Sequence, residues 1–156
     1  MPIAYILVGV PGAGKSTWVA NQSWSKDCVV ASTDAYVDAF ARSVNKTYSE
    51  VFEEVMPAAV KQMAEDVVNA REAGKDIIWD QTSTTMSTRA KKIKMLDGYT
   101  KIAVVFKTPL FDELNSRLQQ RAKTGKIIPS DVMLRMINDF EHPTLEEGFD
   151  QIWHAE

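Results

Sequence analysis

The feature that most constrains this chain is a glycine-rich octapeptide that directly follows an apolar run. The octapeptide Gly9-Val10-Pro11-Gly12-Ala13-Gly14-Lys15-Ser16 fits the pattern G-x-x-x-x-G-K-[ST] at every position. The run before it, residues 3–8, is typical of a strand buried on both faces. Glycines let successive backbone N–H groups turn towards a phosphate, and a helix starting near Lys15 adds the positive end of its dipole. The segment therefore predicts a loop that binds nucleotide phosphates; the alternative is a glycine-rich turn that fits the pattern by chance.

The rest of the chain predicts one α/β domain over residues 1–156, with a mainly parallel sheet flanked by helices. Further strands are predicted at 28–32, 77–79, 102–106 and, as a short last strand, 149–153. The helices between them are predicted at 15–22, 34–43, 48–73, 87–96, 109–121 and 129–140. Pro57 either starts a new helix within 48–73 or kinks a long one. The stripe predicted to be buried on that helix is Val60, Met63, Ala64, Val67 and Val68.

Composition narrows the class of protein. Apolar residues make up 45% of the chain and charged residues 25%, as in a soluble globular protein. No apolar run approaches the roughly 20 residues of a membrane span, and no basic region precedes the first strand as in a signal peptide. One cysteine, Cys28, excludes an internal disulfide, and His142 and His154 lack metal-ligand spacing with it. We therefore expect a cytoplasmic protein that does not contact a membrane.

Polar residues follow three of the predicted strands, at the edge where α/β sheets bind ligands. Lys15 is expected to reach the β- and γ-phosphates, and the Ser16 hydroxyl to reach Mg²⁺. Asp34 is a candidate to accept a proton from an attacking hydroxyl, or alternatively caps a helix. Asp80 ends the apolar strand 77–79, the arrangement that holds Mg²⁺ in many nucleotide-binding proteins, or it caps the following turn.

Basic residues are concentrated in one block. Residues 86–126 contain ten basic and three acidic residues, a net charge of +7 in a chain of net charge −3. Arg117 and Arg121 share a helix face and are candidates to close over nucleotide phosphates, forming a short lid over about 117–130. Arg89 is a candidate for the acceptor side of the cleft. The alternatives are a solvated helix end for the first two and a surface arginine for Arg89. Other candidates for contact with a polyanion are Lys91, Lys92, Lys94, Lys123 and Lys126, and the first three of these alternatively form a solvated helix face.

These motifs together resemble the P-loop kinase domain of bacteriophage polynucleotide kinases. The resemblance rests on Gly9 to Trp18, Asp34-Ala35-Tyr36, Asp80-Gln81-Thr82, Arg89, Arg117 to Arg121 and Ile128 to Val132. It implies ATP- and Mg²⁺-dependent phosphorylation of a 5′-hydroxyl of DNA or RNA, in the host cytoplasm if the chain is encoded by a phage. It implies Asp34 as general base, Lys15 and Ser16 as phosphate and magnesium ligands, Arg121 as the lid arginine that stabilises the transferring phosphoryl group, and Asp80 as a further active-site aspartate. Together with the reading of the residues above, this predicts Lys15 and Arg121 as catalytic cations and Ser16 and Asp80 as metal ligands. Asp34, Asp80 and Arg89 would bind the acceptor. The nucleotide would be bound by residues 9–17, which include Thr17, and by Arg117 and Arg121.

One departure from this family leaves the acceptor open. Val37 stands where the family carries an arginine that helps to hold the acceptor. A kinase of hydroxymethylated bases, such as 5-hydroxymethyluracil in phage DNA, is therefore an alternative. A small-molecule kinase, a kinase with a protein-bound acceptor and a non-catalytic ATPase switch are further alternatives. The sequence does not decide whether the chain forms a homo-oligomer.

Overall fold

The computed structural model describes residues 1–155, in which strands and helices alternate along the chain. The strands are β1 (Ile3–Val8), β2 (Val29–Ala31), β3 (Ile77–Trp79), β4 (Thr100–Phe106) and β5 (Gln151–Ala155). The α-helices are α1 (Lys15–Asn21), α2 (Thr33–Ser43), α3 (Tyr48–Glu72), α4 (Met86–Met95), α5 (Phe111–Lys123) and α6 (Ser130–Asn138). Short 3-10 helices span Ser23–Asp27 and Leu145–Glu147. No helix within residues 1–155 has the length and apolar character needed to cross a membrane.

Within residues 1–155, five strands form one sheet in the order β2-β3-β1-β4-β5, and every neighbouring pair is parallel. The predicted α/β class is confirmed. β1 lies at the centre, and its apolar run is unbroken because both faces are covered. Ala4 and Ile6 pack into a cluster with α3 and α4, whereas Tyr5 and Leu7 face the opposite side of the sheet with Trp18 and Trp24. The sheet order leaves the carboxyl end of β1 between those of β3 and β4, where α/β folds bind ligands.

α3 is a single helix that continues through Pro57. A capping box fixes its first turn: the Thr47 hydroxyl accepts a hydrogen bond from the Glu50 backbone N–H, and the Glu50 carboxylate accepts one from the Thr47 N–H. The stripe predicted to be buried is partly wrong, because Val60 and Val68 are 46% and 44% exposed. The residues that are buried follow a row four apart, joined by Ala70 at the end: Val51, Val55, Ala59, Met63, Val67 and Ala70.

This row of α3 faces two different neighbours. Its first half packs against Val37 and Ala41 of α2, and its second half packs against the sheet. Ala59, not Val60, lies where α3 meets α2, since a small side chain lets the two helices approach closely. The α2–α3 pair thereby places the first turns of both helices beside the carboxyl end of the sheet.

Candidate functional site

The loop after β1 is shaped by two glycines and by the side chain of Lys15. Gly12 and Gly14 have φ angles of +84° and +102°, a region that glycine enters without strain. The Lys15 ammonium folds back over the loop and donates to the carbonyl oxygens of Gly9 at 2.8 Å and Val10 at 3.0 Å. These two hydrogen bonds hold the Lys15 side chain against the loop.

Burial changes the acidity of two groups at this point. Burial of the Lys15 ammonium lowers its pKa to about 8, although the charge of Asp80 acts in the opposite direction. Burial likewise raises the pKa of the Asp80 carboxyl, while the positive charge of Lys15 opposes the rise. Burial thus disfavours the charged forms of both Lys15 and Asp80. The negative charge of nucleotide phosphates would stabilise the ammonium, and a metal ion would stabilise the carboxylate.

The residues present fit Mg²⁺ in the manner usual for nucleotide-dependent enzymes. Magnesium in such sites is held by one or two protein oxygens together with phosphates and water. The Ser16 hydroxyl and the Asp80 carboxylate line the same cavity and supply such oxygens. Within residues 1–155 no three His, Cys, Asp or Glu side chains are grouped to hold a metal by themselves. A metal here would therefore bind together with the nucleotide.

α5 brings two arginines to this cavity, and one of them contacts the phosphate-binding loop. The Arg117 guanidinium donates to the Gly12 carbonyl oxygen at 2.7 Å and pairs with Glu113 at 2.6 Å. Arg121 lies one turn further along the same face and lines the cavity. Both Lys15 and Arg121 line this cavity, and the positive charge of Arg121 contributes to lowering the pKa of Lys15. Such a pair of cations suits the charge on a triphosphate.

The first turn of α2 places Asp34 in the lining of the same cavity as the phosphate-binding loop. Ser32 occupies the N-cap position of α2, and Asp34 lies inside the first turn, so the predicted capping role is wrong. One carboxylate oxygen of Asp34, Oδ1, accepts a hydrogen bond from the Tyr48 hydroxyl at 2.6 Å. The other, Oδ2, lies 3.5 Å from the Lys126 ammonium. The side chain of Asp34 is 51% exposed and lines the cavity, so it is accessible to a second ligand.

The loop between α5 and α6 is held against the first turn of α3. The Ser49 N–H donates to the Gly125 carbonyl at 3.1 Å, and the Ile127 N–H donates to the Ser49 hydroxyl at 2.9 Å. Gly125 has a φ of +90°, and a Cβ at this position would lie 2.5 Å from the Thr47 Cβ. The segment 117–130, predicted to be a lid, thus contacts the start of α3 as well as the phosphate-binding loop, which Arg117 reaches.

Arg89 is the sequence-predicted site residue that the structure places elsewhere. It is fully buried, and its guanidinium pairs with both carboxylate oxygens of Glu147 at 2.8 and 3.2 Å and donates to the Ser83 carbonyl at 3.0 Å. The prediction that Arg89 faces the cleft is wrong, because its hydrogen bonds connect α4 to the segment before β5. Lys92 is also buried and donates to the Ser83 hydroxyl at 2.7 Å, whereas Lys91 and Lys94 are exposed.

One continuous cavity of about 1650 Å³ joins these parts. Its lining includes the phosphate-binding loop, Asp80 and Asp34, and a wall formed by Tyr48, Phe52 and Met56 of α3 and by Ile127 and Ile128 of the α5–α6 loop. Sequence reasoning did not find this wall. The sequence does contain one signal for this wall, the capping box of Thr47 and Glu50, because that box fixes the residue at which α3 begins.

Comparison with known proteins places this geometry in a family. The sequence model described as AAA domain matches residues 5–143, from β1 to beyond α6. The chain belongs to this family. The match includes the phosphate-binding loop, Asp34, Asp80 and both arginines of α5.

Solved structures share the whole fold at low sequence identity. A protein from the PezAT chromosomal toxin–antitoxin system of Streptococcus pneumoniae is 21% identical, with a TM-score of 0.77 over 100% of this chain and 67% of that one. A candidate kinase from Chloroflexus aurantiacus is 18% identical, with a TM-score of 0.72 over 99% and 84%. A gluconokinase from Sinorhizobium meliloti is also 18% identical, with a TM-score of 0.56 over 99% and 82%. The chain therefore has a P-loop kinase-type fold.

Proposed function

We propose that this protein transfers the γ-phosphoryl group of ATP to a hydroxyl group of nucleic acid, with a polynucleotide 5′-hydroxyl as the first acceptor to test. The observation that carries the proposal is the arrangement of the cavity. Lys15, Arg121 and the carboxylate of Asp34 line one cavity, which extends to the wall formed by α3 and the α5–α6 loop. We assign this wall to the acceptor and call it the acceptor wall. A nucleotide-binding switch needs the phosphate-binding loop, but it has no use for an accessible carboxylate in the same cavity.

The residues would divide the reaction between them. Asp34 accepts the proton of the acceptor hydroxyl. The oxygen of that hydroxyl forms a bond to the γ-phosphorus, and the bond between the γ-phosphorus and the bridging oxygen of the β-phosphate breaks. Lys15 and Arg121 stabilise the charge on the phosphoryl oxygens. Ser16 and Asp80 would hold Mg²⁺, which supplies further charge neutralisation when bound. The products are ADP and the phosphate ester, and Asp34 later releases the proton to water.

Three features support a nucleic-acid acceptor. Three of the positions that resemble polynucleotide kinases, Asp34, Asp80 and Arg121, line the cavity, whereas Arg89 does not. The cavity also exceeds the roughly 300–1000 Å³ of a pocket for one small ligand, which leaves room for an acceptor beside ATP. Tyr48 and Phe52 form an aromatic pair on the acceptor wall, with ring centroids 5.5 Å apart, and aromatic rings of this kind stack on bases.

The charge of the acceptor wall favours a second candidate, a small and uncharged hydroxyl compound. Asp34 and Glu53 are carboxylates that line this end, and Lys126 is already paired with Asp34 and Asp38. An acceptor phosphate would gain little there. A hydroxymethylated base in DNA agrees both with the features that support nucleic acid and with the acidic acceptor wall. The base is uncharged, and the phosphates of its strand can remain outside the cavity.

Transfer of labelled phosphate from ATP to a panel of acceptors tests the proposal. The panel contains 5′-hydroxyl DNA and RNA, DNA with 5-hydroxymethyluracil, nucleosides and small polyols. Matched DNA with 5′-phosphate ends and unmodified thymine is the control. Label in the oligonucleotide supports the proposal, label in a polyol alone supports the small acceptor, and release of inorganic phosphate without any labelled acceptor contradicts both.

A further inference from the structure

The carboxylate of Asp34 is held by a tyrosine from a different helix. The Tyr48 hydroxyl donates to Oδ1 at 2.6 Å, a length typical of a charge-assisted hydrogen bond. Tyr48 is the first residue of α3, and the Thr47 capping box fixes that turn. The donor therefore comes from a rigid part of the fold, although Asp34 itself is half exposed.

The two oxygens of this carboxylate have different partners. Oδ1 receives the tyrosine hydroxyl, while Oδ2 lies 3.5 Å from the Lys126 ammonium, at the far limit of a hydrogen bond. The same ammonium lies 3.7 Å from the Asp38 carboxylate and 4.5 Å from the centroid of the Tyr48 ring. Lys126 therefore keeps two other partners when an acceptor hydroxyl takes its place at Oδ2.

We infer that Tyr48 is a positioning residue for Asp34: it fixes Oδ1 so that Oδ2 is the oxygen presented to the acceptor hydroxyl. This inference rests on the proposed function, because it assigns a role within the same transfer. A carboxylate free to rotate would present either oxygen in many directions, and proton transfer requires the base within about 3 Å of the hydroxyl along a defined line. The hydrogen bond from the Tyr48 hydroxyl restricts the rotation of the Asp34 carboxylate by fixing Oδ1, and it leaves Oδ2 available to the acceptor.

The acidity of Tyr48 agrees with a hydroxyl that stays a donor. Burial raises the pKa of this phenol, and its hydrogen bond to Asp34 raises it further. Tyr48 consequently keeps its proton throughout the pH range in which a kinase is assayed. It orients the carboxylate and does not itself exchange a proton with the acceptor.

Tyr48→Phe removes only the hydroxyl and retains the ring that packs on Phe52 and lies under Lys126. Single-turnover transfer to the best acceptor of the panel should slow about tenfold, with ATP affinity and thermal midpoint nearly unchanged, as expected for loss of one charge-assisted hydrogen bond. Tyr36→Phe is the matched control, since Tyr36 lies on α2 in the same apolar cluster but outside the cavity lining. The control should transfer at the wild-type rate.

A second measurement is independent of turnover. The ¹³Cγ chemical shift of Asp34 reports its hydrogen bonds, and it should change in Tyr48→Phe but not in Tyr36→Phe. An unchanged shift overturns the inference even if the variant is slow, and so does an unchanged rate in Tyr48→Phe. A wild-type protein that phosphorylates no acceptor overturns the proposed function, whatever the chemical shift shows, so the two failures are distinguishable.

Discussion

Raising the pH above 8 should weaken ATP binding by removing the charge from Lys15. In the free protein burial lowers the pKa of this ammonium to about 8, from an ordinary value of 10.5. A bound triphosphate places negative charge against the ammonium and moves its pKa back upwards. Between these two values the free protein has lost the proton and the complex retains it, so binding must take up a proton.

The size of the effect follows from the difference between the two pKa values. Below pH 8 the free lysine is charged, and ATP affinity is at its plateau. Above pH 8 each further unit costs about a factor of ten while the complex stays protonated, so at pH 9 binding is about tenfold weaker. This corresponds to about 1.4 kcal/mol. At the same pH about one proton is taken up per ATP bound.

Isothermal titration calorimetry with Mg²⁺ and a non-hydrolysable ATP analogue measures both quantities. Titrations at pH 7.5, 8 and 9, each in two buffers of different ionisation enthalpy, give the affinity and the number of protons. Lys15→Arg should bind with no such pH dependence, because a guanidinium stays charged. Lys92→Met is the matched control, because burial also lowers the pKa of Lys92 to about 8 but Lys92 lies outside the cavity lining. This variant should therefore keep the wild-type pH dependence of ATP affinity. An affinity that is constant from pH 7.5 to 9 in the wild type would refute the reasoning.

Three further substitutions separate the parts of the site. Arg121→Lys keeps the charge but loses the planar fork, so kcat should fall about 10²-fold with little change in ATP affinity by calorimetry; an unchanged kcat would place Arg121 outside the reacting complex. Arg89→Met leaves the Glu147 carboxylate buried without its partner, so the free energy of unfolding from chemical denaturation should fall by about 3–5 kcal/mol. The folded protein should keep the wild-type KM for the acceptor. A raised KM without a loss of stability would restore Arg89 as an acceptor ligand. Gly125→Ala forces a Cβ towards Thr47, so the amides of Ser49 and Ile127 should exchange with deuterium faster; unchanged protection would mean that the loop contact is absent in solution.

The parts of the site that could be predicted from the sequence are those with a local pattern. The phosphate-binding loop is contiguous, and its glycines and Lys15 occur at fixed spacing, so the strand, loop and helix around them could be assigned. Asp34 and Asp80 could be placed at one edge because parallel strands end together there. Arg117 and Arg121 could be paired because residues four apart share a helix face.

The missed features depend on contacts between distant segments. Nothing near Arg89 in the sequence indicates Glu147, 58 residues away, so a buried ion pair looked like a candidate acceptor ligand. The choice of Ala59 over Val60 depends on how closely α2 approaches, which helical periodicity does not specify. The contact of Gly125 with Thr47 likewise depends on the positions of two helices, and it determines where the acceptor wall lies.

Single-turnover transfer by Asp34→Asn tests the central claim most directly. Asparagine has nearly the same size and can still accept the Tyr48 hydroxyl at Oδ1, but it cannot take a proton from the acceptor. With the acceptor that the wild type phosphorylates, the variant should keep its thermal midpoint and ATP affinity and transfer label at least about 10²-fold more slowly. Transfer at the wild-type rate by a folded, ATP-saturated Asp34→Asn would contradict the claim that Asp34 is the base, and a loss confined to Asp80→Asn would assign that role to Asp80.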